Sequence, residues 1–164
     1  MILFLTVSAA TDLFYQKIFN KSIILFLALG IFLVVKGDLK ITGAIAGFIT
    51  GGCILLPFFL LGAVGPGDVK FLATVGFLSG NWEYVIWGVL YGAIAGGIGV
   101  FFILLKRKKL KTTMSTTAEI VKAFFISGGK MPPPAEDSLK LPYVFYLSIG
   151  FLVRLLEVKL LNPQ

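Results

Sequence analysis

The chain has 164 residues, 57% of them hydrophobic and only 14% charged, with a mean hydropathy of +0.95. Soluble domains average about 25% charged residues, so this composition excludes an ordinary water-soluble globule and predicts one compact membrane domain over residues 1–164. A net charge of +7, one cysteine (Cys53) and no histidine exclude an internal disulfide, a Ser–His–Asp triad, a Cys–His pair and a His/Cys zinc site.

Charge interruptions divide the sequence into six apolar spans, and continuous apolar runs predict helices, not the alternating strands of a membrane barrel. The expected fold is all-α and polytopic, with about six transmembrane helices. The first span runs from Met1 to about Tyr15. It lacks the positive n-region of a signal peptide, so it reads as a membrane helix. The second covers about Ile18–Val35 and the third about Ile41–Leu61. Within the third, Gly43, Gly47 and Gly51 recur at every fourth position, a bare helix face that admits a neighbouring backbone. Cys53 reads there as a small packed hydrophobe. The fourth span is short, about Val69–Leu78. The fifth, about Tyr84–Leu105, carries a second stripe of Gly88, Gly92 and Gly96. A polar loop at about 106–140 follows, with an amphipathic surface helix expected near Thr116–Ile126 and a turn-forming Gly128–Pro134 run. The sixth span is about Leu141–Leu156.

Six spans place odd-numbered loops on one side and even-numbered loops on the other. Eleven of the fifteen Lys and Arg fall on the odd side. The positive-inside rule puts that side in the cytoplasm of a cell-membrane protein. Topology then accounts for the basic charge, and no nucleic-acid partner is expected.

Of the eight acids, Asp38, Glu83 and Glu157 lie near outer span ends, and Glu119, Glu136 and Asp137 lie in the polar loop. Asp12 ends the first span. Asp68 opens the fourth, within Gly65-Pro66-Gly67-Asp68-Val69-Lys70. Both fall at cytoplasmic helix ends, where two carboxylates can meet. The bland readings are a helix cap for Asp68 and an interfacial acid near Lys17 for Asp12. The chemical reading is a pair in which one carboxyl keeps a proton and its ionised partner activates water. Lys70 is placed to tune such a pair, and Gly65 and Gly67 to give backbone shape or close substrate approach. Asn20 is placed to cap the second helix.

These residues resemble a known family. Gly-Pro-Gly-Asp-Val-Lys is similar to the G-x-G-D-x-K signature of the type IV prepilin peptidases, part of the GxGD group of aspartic proteases. The stretch from Asp12 to Asn20 is similar to that family's D-x-x-x-x-x-I-P-N segment, with Phe19 in place of the proline. Lys140-Leu141-Pro142-Tyr143, with Gly150 beyond, resembles the start of its last helix. The resemblance implies Asp12 and Asp68 as the catalytic dyad, with Gly65, Gly67, Lys70, Lys17 and Asn20 as supporting or substrate-binding residues. It implies prepilin-like precursors as partners beside membrane lipid, and removal of their short basic leader at the cytoplasmic face. It implies no metal and no cofactor. The larger members also carry a region with paired cysteines and a methyltransferase activity. Neither is expected for this short form. The rival readings are a proton- or ion-coupled transporter and a non-catalytic pilus-assembly protein.

Overall fold

In a computed structural model, residues 1–15, 19–61, 64–106 and 143–161 are described, and all their regular structure is helical. The described helices are α1 (Ile2–Tyr15), α2 (Asn20–Lys36), α3 (Ile41–Leu60), α4 (Pro66–Ser79), α5 (Trp82–Lys106) and α6 (Tyr143–Leu161). The expected surface helix near Thr116–Ile126 lies outside the described residues.

Local chemistry sets the helix ends. Gly37 takes φ 84° and closes α2, donating its N–H to the carbonyls of Leu33 and Val34. Gly80 takes φ 61° and closes α4 in the same left-handed way. Pro66 opens α4, where no intrahelical N–H is lost. This start lies three residues before the expected one, so Pro66 and Gly67 are helical and not a preceding turn.

Two helices among the described residues, α3 and the Trp82–Ile103 part of α5, are long and apolar enough to cross a membrane. Helices α1 and α4 have 14 residues each, about 21 Å of rise. Helix α6 has 19 residues and includes Arg154, Glu157 and Lys159.

The bundle is assembled from two close helix pairs. Helix α4 folds back along α3, with Gly43 against Gly80, Gly47 against Gly76 and Gly51 against Leu72. A Cβ at any of these three α3 glycines would run into a backbone carbonyl oxygen of α4. The first glycine stripe is thus a backbone-to-backbone seam. Helix α6 runs back along α5 in the same manner. Gly88 lies under Phe151, Gly92 meets Leu147, and Gly150 faces the backbone of Gly88 and Gly92. The second stripe departs from expectation at its end. A Cβ at Gly96 would sit 3.6 Å from Tyr146, an ordinary contact, whereas Gly99 is the position that makes room for the Tyr146 ring.

Helix α1 packs on α6 and α2 on α4. The core joins Phe4, Phe26 and Phe71, whose ring centroids lie 4.8 and 5.4 Å from Phe4, to Val85, Val144, Leu147 and Phe151. Tyr84 is buried among them and donates its O–H to the Phe151 carbonyl at 2.6 Å. The outside is apolar too: Leu3, Leu25, Val35, Leu60, Phe102 and Leu160 are all exposed. Cys53 is exposed on α3, not packed inside as its sequence context suggests. Glu157 also differs from an ordinary solvated acid. It pairs with Arg154 at 2.8 Å and accepts the Tyr91 hydroxyl at 3.0 Å, which ties α6 to α5.

Two stability results follow from this packing. A Cβ at Gly97 would meet nothing within 4 Å, so Gly97→Ala should stabilise by up to about 1 kcal/mol through helix propensity alone. Tyr84→Phe should cost about 1 kcal/mol, the usual worth of one buried hydrogen bond, and leave the fold intact. Equilibrium unfolding in mixed micelles measures both.

Candidate active site

Asp68 is held by the first turn of its own helix. Gly65 is the N-cap, in extended backbone at φ −75° and ψ 155°. Pro66, Gly67 and Asp68 are the first three helical residues. The Asp68 N–H donates to the Gly65 carbonyl at 3.2 Å, and the Gly65 N–H donates to Asp68 Oδ2 at 3.2 Å. The carboxylate therefore acts as the third-position member of a capping box, not as the N-cap itself. It also sits where the helix dipole favours negative charge. Among the described residues only Gly37 and Gly80 have positive φ. Gly65 and Gly67 therefore do not serve a left-handed backbone. A Cβ at Gly65 would instead stand 3.5 Å from Asp68 Oδ2, so the missing side chain keeps that side of the carboxylate open.

Asp12 lies three residues before the end of α1 and is 7% exposed. Its Oδ2 accepts the Phe145 N–H at 3.1 Å, from the first turn of α6. The first four N–H groups of a helix have no partner within it. Here one of them is aimed at a carboxylate 133 residues away in sequence. Asp12 is therefore a buried, hydrogen-bonded acid at the end of α1. Lys17 itself lies outside the described residues.

Asp12 stands near the end of α1 and Asp68 in the first turn of α4. The charge of Asp12 acts on Asp68, and the charge of Asp68 acts on Tyr143 in the same turn of α6 that holds Asp12. Helices α1, α4 and α6 thus converge on one polar patch in a largely apolar molecule. Each carboxylate is oriented by a backbone N–H. Two carboxyl groups so placed can divide the tasks of general base and general acid.

Lys70 and Asn20 contact each other. Lys70 Nζ donates to Asn20 Oδ1 at 3.5 Å, linking α4 to α2. Lys70 thereby ties α4 to a neighbouring helix. Asn20 is the first residue of α2, whose N-cap is Phe19 with no side-chain cap. The capping role expected of Asn20 is thus replaced.

The Phe145 amide is a partner of Asp12 that sequence reasoning missed. A backbone donor carries no side-chain signature. Only the helix start near Pro142-Tyr143 hints that unpaired N–H groups will lie there.

The model of the type IV leader peptidase family matches residues 1–103. The chain belongs to the type IV leader peptidase family. No curated protein and no solved structure matches it. The family match contains both Asp12 and Asp68, together with most of α1 to α5. Helix α6, whose amide orients Asp12, lies beyond the matched residues. Membership gives a peptidase as the coarse activity of this leader peptidase family member.

Proposed function

We infer that the chain is a multi-pass membrane aspartic endopeptidase that removes the short basic leader of prepilin-like precursors at the cytoplasmic membrane face. One observation carries this reading. Asp12 and Asp68, 56 positions apart in sequence, are each bonded to a backbone N–H, and Asp68 lies within reach of the Asp12 charge. The apolar exterior and the two span-length helices support the membrane setting. The family supports leader-type substrates.

In the proposed reaction one carboxyl is ionised and the other protonated, since two adjacent carboxylates resist double ionisation. The ionised one takes a proton from water as the water oxygen bonds to the scissile carbonyl carbon. The protonated one gives its proton to the carbonyl oxygen, forming a neutral tetrahedral diol. The diol then collapses. The C–N bond breaks, the departing amine takes up the proton held by the first carboxyl, and the diol's other proton returns to the second. The dyad regains its single proton. Oriented backbone donors at Gly65 and Phe145 keep both carboxyls in place through the cycle.

The test is co-expression with a pilin-like precursor carrying a basic leader, with leader loss followed by gel shift. Cleavage by the wild type and none by Asp12→Asn or Asp68→Asn supports the reading. Equal cleavage by all three returns the acids to a purely structural role. A precursor left uncut by the wild type, together with proton or ion flux in vesicles, favours a transporter.

A further inference from the structure

A cavity opens beside the first turns of α4. It occupies about 550 Å³ between α2, α3 and α4. Ile23, Ile24, Leu27, Phe48 and Val69 give it apolar walls, and Gly52 and Ala73 leave its floor bare. Helices α2 and α4 touch on both sides of it. At the far end Gly30 lies under Phe77 and Leu78. At the near end Lys70 reaches Asn20 at 3.5 Å. The result is a side window in the bundle, about 10 Å long from Asn20 to Leu27, with a cation and an amide at one end.

We propose that this window binds one anionic phospholipid, with an acyl chain between α2 and α4 and the phosphate on Lys70 and Asn20. Charge argues for an anionic headgroup. Lys70 supplies a positive charge and Asn20 an amide NH₂ donor, and neither suits a partner with a basic leader. Position agrees, because both polar groups stand at the end of the bundle that the positive-charge asymmetry assigns to the cytoplasmic surface. The proposal rests on the membrane setting of the chain and not on its peptidase activity.

Native mass spectrometry of the delipidated full chain, titrated with phosphatidylglycerol or phosphatidylcholine, tests it without using cleavage. One basic residue near an anionic headgroup favours it by about fivefold. Wild type should therefore hold one phosphatidylglycerol with about that preference over phosphatidylcholine. Lys70→Gln should bind the two lipids equally. Gly52→Leu, whose new side chain enters the window where only Ala73 Cβ at 4.0 Å is near, should bind neither. Ile24→Trp blocks the same window from α2 and serves if Gly52→Leu does not fold. Equal binding of both lipids by the wild type overturns the proposal, as does a preference that survives Lys70→Gln. Capture of a precursor's apolar segment by a photocrosslinker at position 24, in place of lipid, overturns it in favour of a peptide occupant.

Discussion

Asp12→Asn and Asp68→Asn are each expected to slow leader removal by about 10³-fold or more, within the range that positioned acid–base groups contribute. Asn matches Asp in size and keeps a carbonyl oxygen that accepts a hydrogen bond. The Phe145 N–H still finds an acceptor at position 12, and the Gly65 N–H still finds one at position 68. Folding should therefore change by about 1 kcal/mol or less, the scale of one hydrogen bond. What Asn cannot do is hold or release the shared proton. The double variant should be no slower than either single one, because groups that act as a unit are not additive. A time course with purified protein and precursor, read beside an unfolding curve for each variant, separates loss of chemistry from loss of fold. A rate within tenfold of wild type for either folded variant would remove that acid from the mechanism.

Gly76→Leu is expected to be the most damaging of the packing substitutions, at about 3 kcal/mol or more, the upper range for overpacking a close contact. A Cβ at Gly76 would run into the Gly47 carbonyl group and stand 3.2 Å from the Phe48 nitrogen. These are backbone atoms and have no rotamer to change. The α3–α4 seam must open along its length, and Asp68 lies on the helix that moves. Unfolding in mixed micelles should show the loss, and Gly97→Ala on α5 serves as the glycine substitution without a neighbour. A cost below about 1 kcal/mol for Gly76→Leu would mean that the two backbones do not meet there.

Much of the helical layout was legible in the chain. The apolar runs marked six helices to within a few residues, because burying a helix in lipid or in its own bundle requires long uninterrupted apolar segments. The α3 stripe of Gly43, Gly47 and Gly51 announced a close seam, since only repeated loss of the side chain permits backbone contact. The stripe on α5 was less readable. Gly96 continues the period, yet the space is used at Gly99, because the partner's Tyr146 ring decides where room is needed. Cys53 shows the same limit from the other side. An apolar neighbourhood does not tell the inner face of a helix from the outer one when both are apolar.

The sequence by itself determined the kind of molecule and the two acids that stand out in it. Composition, the absence of histidine and the Gly-Pro-Gly-Asp-Val-Lys segment are one-dimensional facts, and they suffice for that. The tertiary structure alone decided how Asp12, Lys70 and Asn20 are partnered. Asp12 is buried and bonded to α6, Lys70 turns to Asn20 on α2, and Asn20 caps nothing. The physical reason is common to all three. Burial and hydrogen-bond partners are properties of neighbours distant in sequence, and backbone donors such as the Phe145 N–H look the same at every residue until the fold aims them.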